Sequence, residues 1–406
     1  MSLFRLLAPA GAPLPVRTVL SSVLHRSGDQ RGLAELIRER LGMQNLFLIS
    51  SGRAAFTVLL KALQQCSGRR EVVIPAYTCF SVPSAVARAG LAIRLCDVDP
   101  KTLDLDPNAL ARLDLSAALC IVPSGLYGMP GDLARLEVVA RSFGTSLVDD
   151  AAQCLGATRD QRPCGTFGDA GFYSLGRGKG MTTMGGGILL TRREDLAQRI
   201  EKEVRTLRRP SAREVCATVG SSLVYSGMLR PSRYWIADRI PFLGLGASRF
   251  EPDFPIATLS AYQRRLATEL LALLDSYNRI RRDHADQLRS GIDGVEGIEI
   301  PRPVEGATPV YLRFPILTRD GAHRSYLLGR LREVGISAST SYPTPIGDIP
   351  GITQYLAPDQ EHCPGARLIA TRILTLPTHP WVTSSDIERM VTIIRANHGG
   401  SGKASP

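Results

Sequence analysis

Residues 46–74 read LFLISSGRAAFTVLLKALQQCSGRREVVI, and their pattern decides the fold. The apolar run Leu46 to Ile49 stops at a Ser-Ser-Gly turn, a helical pattern runs from Arg53 to Leu63, and a β-branched run occupies Val72 to Ile74. Strand, crossover helix and strand make a βαβ unit, because a helix packed on the sheet returns the chain to start a parallel strand. The rhythm continues outward. Helical patterns at Val82 to Ala89, Asn108 to Leu113 and Leu133 to Phe143 alternate with apolar runs at Ile93 to Cys96, Ala118 to Val122 and Ser146 to Val148, followed by Gly171 to Ser174 and Gly187 to Thr191. This predicts an α/β fold with a mostly parallel central sheet flanked by helices.

A long helical pattern from Ala257 to about Leu288 leads into a strand at Val310 to Leu317, a helix at His323 to Val334 and a last helix after Ser384. The expected organisation is a large domain over 1–260, a smaller C-terminal α/β domain over 261–397 and a disordered Gly/Ser-rich tail over 398–406. With 44% hydrophobic and 21% charged residues among 406, the composition is that of an ordinary globular protein.

Lysine and arginine outnumber the acids 49 to 38, for a net charge of +11. The basic residues are scattered in pairs such as Arg208-Arg209 and Arg281-Arg282, with no basic arm or nucleic-acid motif, so no nucleic-acid partner is expected. Eight cysteines lack CxxC or Cys/His metal spacing; reduced thiols in a cytoplasmic protein account for them, and no metal is expected. The apolar stretch within residues 1–15 is interrupted by Pro9, Gly11 and Pro13 and makes a poor signal-peptide core, and Val215 to Leu229 falls short of the ~20 residues that span a bilayer. That second stretch reads as a buried or interfacial helix.

In open parallel sheets ligands bind beyond the carboxyl ends of the strands. Ser50 to Ala55 turns through Gly52 into a helix whose first amides can hold a phosphate, although a Ser-Gly turn capping any helix gives the same string. The strand ending Asp149-Asp150-Ala151-Ala152-Gln153 puts two carboxylates ahead of small residues that leave room for a flat ligand. A carboxylate in a closed site needs a cation, and a protonated pyridine nitrogen supplies one; helix capping is the alternative for either acid. Between two strands, Lys179 stands among Gly176, Gly178, Gly180 and Gly185 to Gly187. An amine so confined can lose its proton and act as a nucleophile, whereas a phosphate-binding glycine turn needs no covalent chemistry.

In this order the pieces resemble the DegT/DnrJ/StrS sugar aminotransferases, a pyridoxal-phosphate (PLP) family of aspartate-aminotransferase fold. The likeness includes Val72 to Thr78, Asp97-Val98-Asp99-Pro100, Leu126-Tyr127-Gly128, Asp149 to Ala157, Gly168-Asp169, the lysine loop and Leu374 to Pro380. The resemblance implies that Lys179 carries the cofactor as a Schiff base and Asp150 pairs with its ring nitrogen. It places Gln153 at the phenolic oxygen, and Ser174 with the amides of Gly52 and Arg53 at the phosphate. It further implies a keto-sugar acceptor, an amino-acid donor and a homodimer with shared sites. The chain departs from the family pattern at Gly125, where histidine is usual, at Gly185 in place of glutamate, and at Cys79 in place of a stacking aromatic, which leaves the stacking either weaker or supplied by Tyr77. The family's second-subunit phosphate segment has no counterpart here; residues 205–254 align poorly, and Arg249 is the candidate for that contact. Two other outcomes are open on sequence: another PLP reaction, such as dehydration or cysteine desulfuration with Cys363 as nucleophile, or a non-catalytic regulatory protein. Lys179 argues against dehydration, since the related dehydratases carry histidine there.

Overall fold

The computed structural model describes residues 5–24, 32–239 and 249–396; the tail 398–406 lies outside them. The large sheet comprises β1 (Asn45–Ile49), β2 (Glu71–Pro75), β3 (Ala92–Cys96), β4 (Ala118–Ile121), β5 (Ser146–Asp150), β6 (Ala170–Ser174) and β7 (Gly187–Thr191), in the order β1-β7-β6-β5-β4-β2-β3. Neighbours from β6 through β3 are parallel, while β7 runs antiparallel to both β6 and β1. The unit read from residues 46–74 therefore keeps its direction but not its adjacency: four strands separate β1 from β2.

The first helix of that unit, Gly52–Gln64, opens where Ser51 accepts a hydrogen bond from the Ala54 amide at 3.2 Å. It buries Ala54, Ala55, Phe56, Leu59 and Leu60, and Phe56 stacks on Phe172 of β6 with centroids 5.0 Å apart. Truncating so enclosed an aromatic costs about 3–5 kcal/mol.

The second region forms an antiparallel sheet of β8 (Ile298–Glu299), β9 (Arg313–Thr318) and β10 (Ile373–Pro377). Strand β9 starts three residues later than the sequence predicts, because Val310 and Leu312 donate instead to the carbonyls of Gly128 (2.9 Å) and Tyr127 (2.8 Å). The long helix starts at Ala261 rather than Ala257: Ser260 and Gln263 form a capping box, and Thr258 bridges Ile49 in extended conformation. Its first half (Leu266, Leu270, Leu274) packs with Ile188 and Leu190 of β7, and its second half (Ala285, Leu288, Ile292) with Phe314 and Leu376. Chain from beyond residue 260 also returns to the large sheet, where Ile346, Ile352 and Ile369 join Val72, Ile74 and Ile93. Among the described residues no helix is long and apolar enough to cross a membrane.

Candidate active site

The carboxyl ends of β2, β4, β5 and β6 and the start of helix Gly52–Gln64 converge on one region, and the chain folds there for local reasons. A side chain on Gly52 would place its Cβ 2.8 Å from that of Ser174, so glycine alone lets the helix start meet the end of β6. The first amides of a helix have no partner within it. Ser51 satisfies that of Ala54, and Gly52 brings the helix start against Ser174. The Arg53 guanidinium itself turns away: it pairs with Glu251 at 3.0 Å and lies 4.3 Å over the Phe254 ring. What Arg53 offers an anion is therefore its backbone amide.

Asp150 is buried at the end of β5, where its carboxylate accepts from the Ala152 amide and from the Ser124 hydroxyl, both at 3.1 Å. Ser124 accepts in turn from the Thr78 hydroxyl at 3.1 Å. Burial raises the Asp150 carboxyl above its usual range, and the Ala152 amide, the Lys179 charge and the Ser124 hydroxyl work against that rise. Asp149 points the other way, to the amides of Gly165 and Phe167, and burial lifts its carboxyl to about 7. The two acids thus separate: Asp149 ties down the next loop, and Asp150, the acid the family resemblance singles out, feels the Lys179 charge.

Lys179 is half-buried in a compact turn. The turn is closed by Thr183 N to Leu175 O at 3.0 Å and Leu175 N to Gly186 O at 2.8 Å, and Gly178 takes φ +76°. From outside, the Arg281 guanidinium holds the Gly180 carbonyl at 3.1 Å. Gln153 is fixed through its carbonyl oxygen, which accepts from the Tyr127 amide at 3.1 Å, and its amide nitrogen reaches the Tyr342 hydroxyl at 3.4 Å.

Each departure from the family pattern has a physical counterpart. A Cβ on Gly125 would lie 2.2 Å from Cys154 Sγ, so a histidine there is sterically closed off. Beside Gly185 sits Gln263, whose amide donates to the carbonyls of Thr183 (3.2 Å) and Gly185 (3.3 Å). The substitution of Tyr77 for the stacking aromatic is not met: its ring is wholly enclosed and its hydroxyl donates to the Tyr342 carbonyl at 3.3 Å. Tyr342, edge-on to Tyr77 at 5.7 Å, is the half-buried aromatic of the site. Sequence reading missed it because it sits in an irregular loop with no motif of its own. Cys363 is enclosed in the large core and burial pushes its thiol up to about 12, which disfavours the thiolate that desulfuration needs. All eight cysteines are free thiols.

A buried carboxylate hydrogen-bonded only to neutral donors lacks a directly bonded cation, and a protonated pyridine is the cation of matching shape. Gly52 and Ser174 leave a cradle that a Cβ would fill, and Ala151 and Ala152 leave room beside it. The residues fit PLP, and the fold and site together define a PLP-dependent aminotransferase.

Comparison with known proteins makes this specific. Residues 15–395 match the model of the DegT/DnrJ/EryC1/StrS aminotransferase family, and the chain belongs to that family. It is 27% identical over 354 residues to the UDP-N-acetyl-3-dehydro-α-D-glucosamine 3-aminotransferase of Acidithiobacillus ferrooxidans, covering 86% of this chain and 84% of the relative. Over 321 residues it is 30% identical to the L-glutamine:2-deoxy-scyllo-inosose aminotransferase of Streptomyces fradiae, with 77% and 70% covered. The crystal structure of the sugar aminotransferase CalS13 from Micromonospora echinospora shares the fold, with TM-score 0.75 at 23% identity and 98% and 100% of the two chains covered.

Proposed function

We propose that the protein transfers the amino group of an amino acid, L-glutamate in the first instance, to the carbonyl carbon of a nucleotide-linked keto sugar. Surface polysaccharide, lipopolysaccharide or a glycosylated metabolite is the destination. The reading is carried by Lys179 in its glycine turn, whose charge reaches the buried Asp150, within a chain that matches an aminotransferase family over nearly its full length. PLP, when bound, supplies an electron sink for charge developing at the donor's α-carbon. Asp150 keeps the proton on the ring nitrogen, Gln153 orients the phenolic oxygen, and Ser174 with the Gly52 and Arg53 amides holds the phosphate. Lys179 binds the cofactor, and its Nζ carries the proton away from the α-carbon and returns it on the cofactor side.

A second acceptor class has its own support. The 30% identity to an enzyme named for 2-deoxy-scyllo-inosose points to a cyclitol ketone. Glutamate-dependent amination of a panel of nucleotide-linked keto sugars, run beside 2-deoxy-scyllo-inosose, tests both. If a nucleotide-linked sugar is aminated the first reading stands; if only the cyclitol is, the second replaces it.

We further propose a cytoplasmic homodimer with its active sites at the subunit boundary. Helices Val16–Leu24, Ala212–Met228 and Pro231–Asp238 leave Leu20, Leu24, Leu223, Val224 and Ile236 exposed, with Leu24 at 77% and Val224 at 57%. Apolar side chains clustered in this way favour a protein partner over open solvent. Arg249, exposed at the end of this region, is the residue we assign to the partner's phosphate site.

A further inference from the structure

Behind the Lys179 turn lies a buried cation that no acid neutralises. Arg281 is fully enclosed on the long helix, and among the described residues its guanidinium meets only neutral oxygens: the carbonyls of Gly180 (3.1 Å) and Gly11 (3.3 Å) and the side chain of Asn278 (2.9 Å). Those bonds engage three of the N–H groups in its fork, while Nε is sealed from solvent without a hydrogen-bond partner. A charge taken out of water is ordinarily paired, because its lost hydration is otherwise uncompensated.

The groups that sense this charge do not cancel it. The acidic side chains acting on Arg281 are the phenols of Tyr225 and Tyr277; burial raises both above their usual range, Tyr225 to about 12, so each is a neutral hydroxyl at physiological pH. Arg177, exposed on the Lys179 turn, adds a second positive charge that acts on Tyr225. The Tyr225 oxygen is itself sealed from solvent: the Ala12 amide acts on it, but no group takes its proton. Both side chains close on one residue, since a Cβ added to Gly11 would lie 3.2 Å from the Tyr225 oxygen and Arg281 holds the Gly11 carbonyl. Two sealed donors, the Arg281 Nε–H and the Tyr225 O–H, thus lie about one glycine with an acceptor for neither.

We infer that Arg281 and Tyr225 bind a halide-sized anion, chloride, behind the Lys179 turn. One negative ion accepts from both donors and supplies the missing counter-charge, which a water molecule, being neutral, does not. The donors are sealed, so the ion has to be compact; a phosphate or carboxylate brings more oxygens than these two groups satisfy. Because Arg281 also holds the Gly180 carbonyl, a filled site stiffens the turn that presents Lys179. Chloride is then a structural ligand of the enzyme, whichever acceptor and amino donor it uses.

Bromide locates the site, since it substitutes for chloride and scatters anomalously. Crystals of the PLP-loaded enzyme grown in sodium bromide should show an anomalous peak within hydrogen-bonding distance of Arg281 Nε and Tyr225 Oη. No peak there, or water density without anomalous signal, overturns the inference. In solution, PLP-loaded wild type, Tyr225→Phe and Arg281→Met are melted in sodium chloride and in sodium gluconate at constant ionic strength. Wild type should gain about 1–2 °C as chloride saturates the site. Tyr225→Phe, which loses one oxygen and keeps the ring, should need ~10-fold more chloride for the same gain, the size of a lost hydrogen bond to a charged group. Arg281→Met should show no chloride gain, and Tyr225→Phe carries the test should that variant fail to fold. A gain that never saturates, or one with the same midpoint in Tyr225→Phe as in wild type, is a general salt effect and overturns the site. Wild type should also lose PLP more slowly on dialysis in chloride than in gluconate; equal loss in the two salts overturns the link to the Lys179 turn.

Discussion

At the scale of single residues, Asp149 and Asp150 differ only in which way the end of β5 turns them, and that difference sets two separate expectations. Asp150→Asn should keep the cofactor bound and slow turnover by orders of magnitude, because a neutral amide does not hold the pyridinium proton; a rate equal to wild type removes Asp150 from that role. Asp149 concerns stability. Its folded-state carboxyl is raised to about 7 while the unfolded chain titrates near 4, so between those values the folded state holds the extra proton and loses stability as pH rises. In Asp149→Asn that loss is absent, and the variant's melting temperature should gain on wild type between pH 5 and pH 8. Parallel pH profiles would exclude this. Lys179→Ala removes a nucleophile without opening a core cavity. It should abolish the cofactor's visible absorbance and transamination while leaving circular dichroism unchanged, and borohydride reduction of wild type should leave pyridoxyl on the Lys179 peptide. Finding it on Lys61 or Lys101 would move the site. The lysine, the acid pair and the glycines around them were legible in the sequence because each is chemically odd where it stands. Tyr342 was not, since a tyrosine in a loop looks ordinary until the fold places it beside Gln153.

At the scale of elements, the lysine turn is held by parts remote in sequence. Arg281, fully buried on the long helix, donates to the carbonyls of Gly180 (3.1 Å) and Gly11 (3.3 Å) and to Asn278 (2.9 Å), and Asn278 donates to the Leu155 carbonyl at 3.0 Å. Burial without a carboxylate lowers the guanidinium to about 10. One helix thereby clamps the N-terminal segment, the Lys179 turn and the loop that follows Gln153. Arg281→Met leaves two or more buried acceptors unpaired, at ~1–3 kcal/mol each. It should lower the urea midpoint and, by loosening the turn, weaken PLP retention; a variant with normal midpoint and normal retention would show that the clamp is idle. Motifs of the family resemblance resolve at this scale too. Asp97 accepts from the amides of Gly365 (2.9 Å) and Ala366 (2.8 Å), capping the helix Pro364–Arg372. His379 bonds the Ala8 carbonyl at 2.8 Å, which ties the chain's start to β10. These segments hold the frame and leave the chemistry to others.

At the scale of the whole molecule, the exposed apolar faces of helices Val16–Leu24 and Ala212–Met228 predict association. Light scattering should give about twice the 44.0 kDa chain mass, and mixing inactive Lys179→Ala with inactive Arg249→Ala subunits should restore activity in heterodimers. A fully active monomer would remove the shared site, and failed complementation in a proven dimer would remove Arg249. Of the expected apolar stretch Val215 to Leu245, residues 240–248 lie outside the described ones, so the expectation rests on the two helices before them. The sequence by itself determined the α/β class and the strands of the large sheet to within two residues, and singled out Lys179 and Asp150 as candidates, because periodicity and local chemistry are properties of neighbouring residues. Only the tertiary structure decided that β1 lies against β7, four strands from β2, and that Asp149 turns away to the amides of Gly165 and Phe167. It alone brought Arg281 and Tyr342 to the site. Strand order and long-range hydrogen bonds depend on which distant surfaces bury each other, and a linear reading carries no register for that.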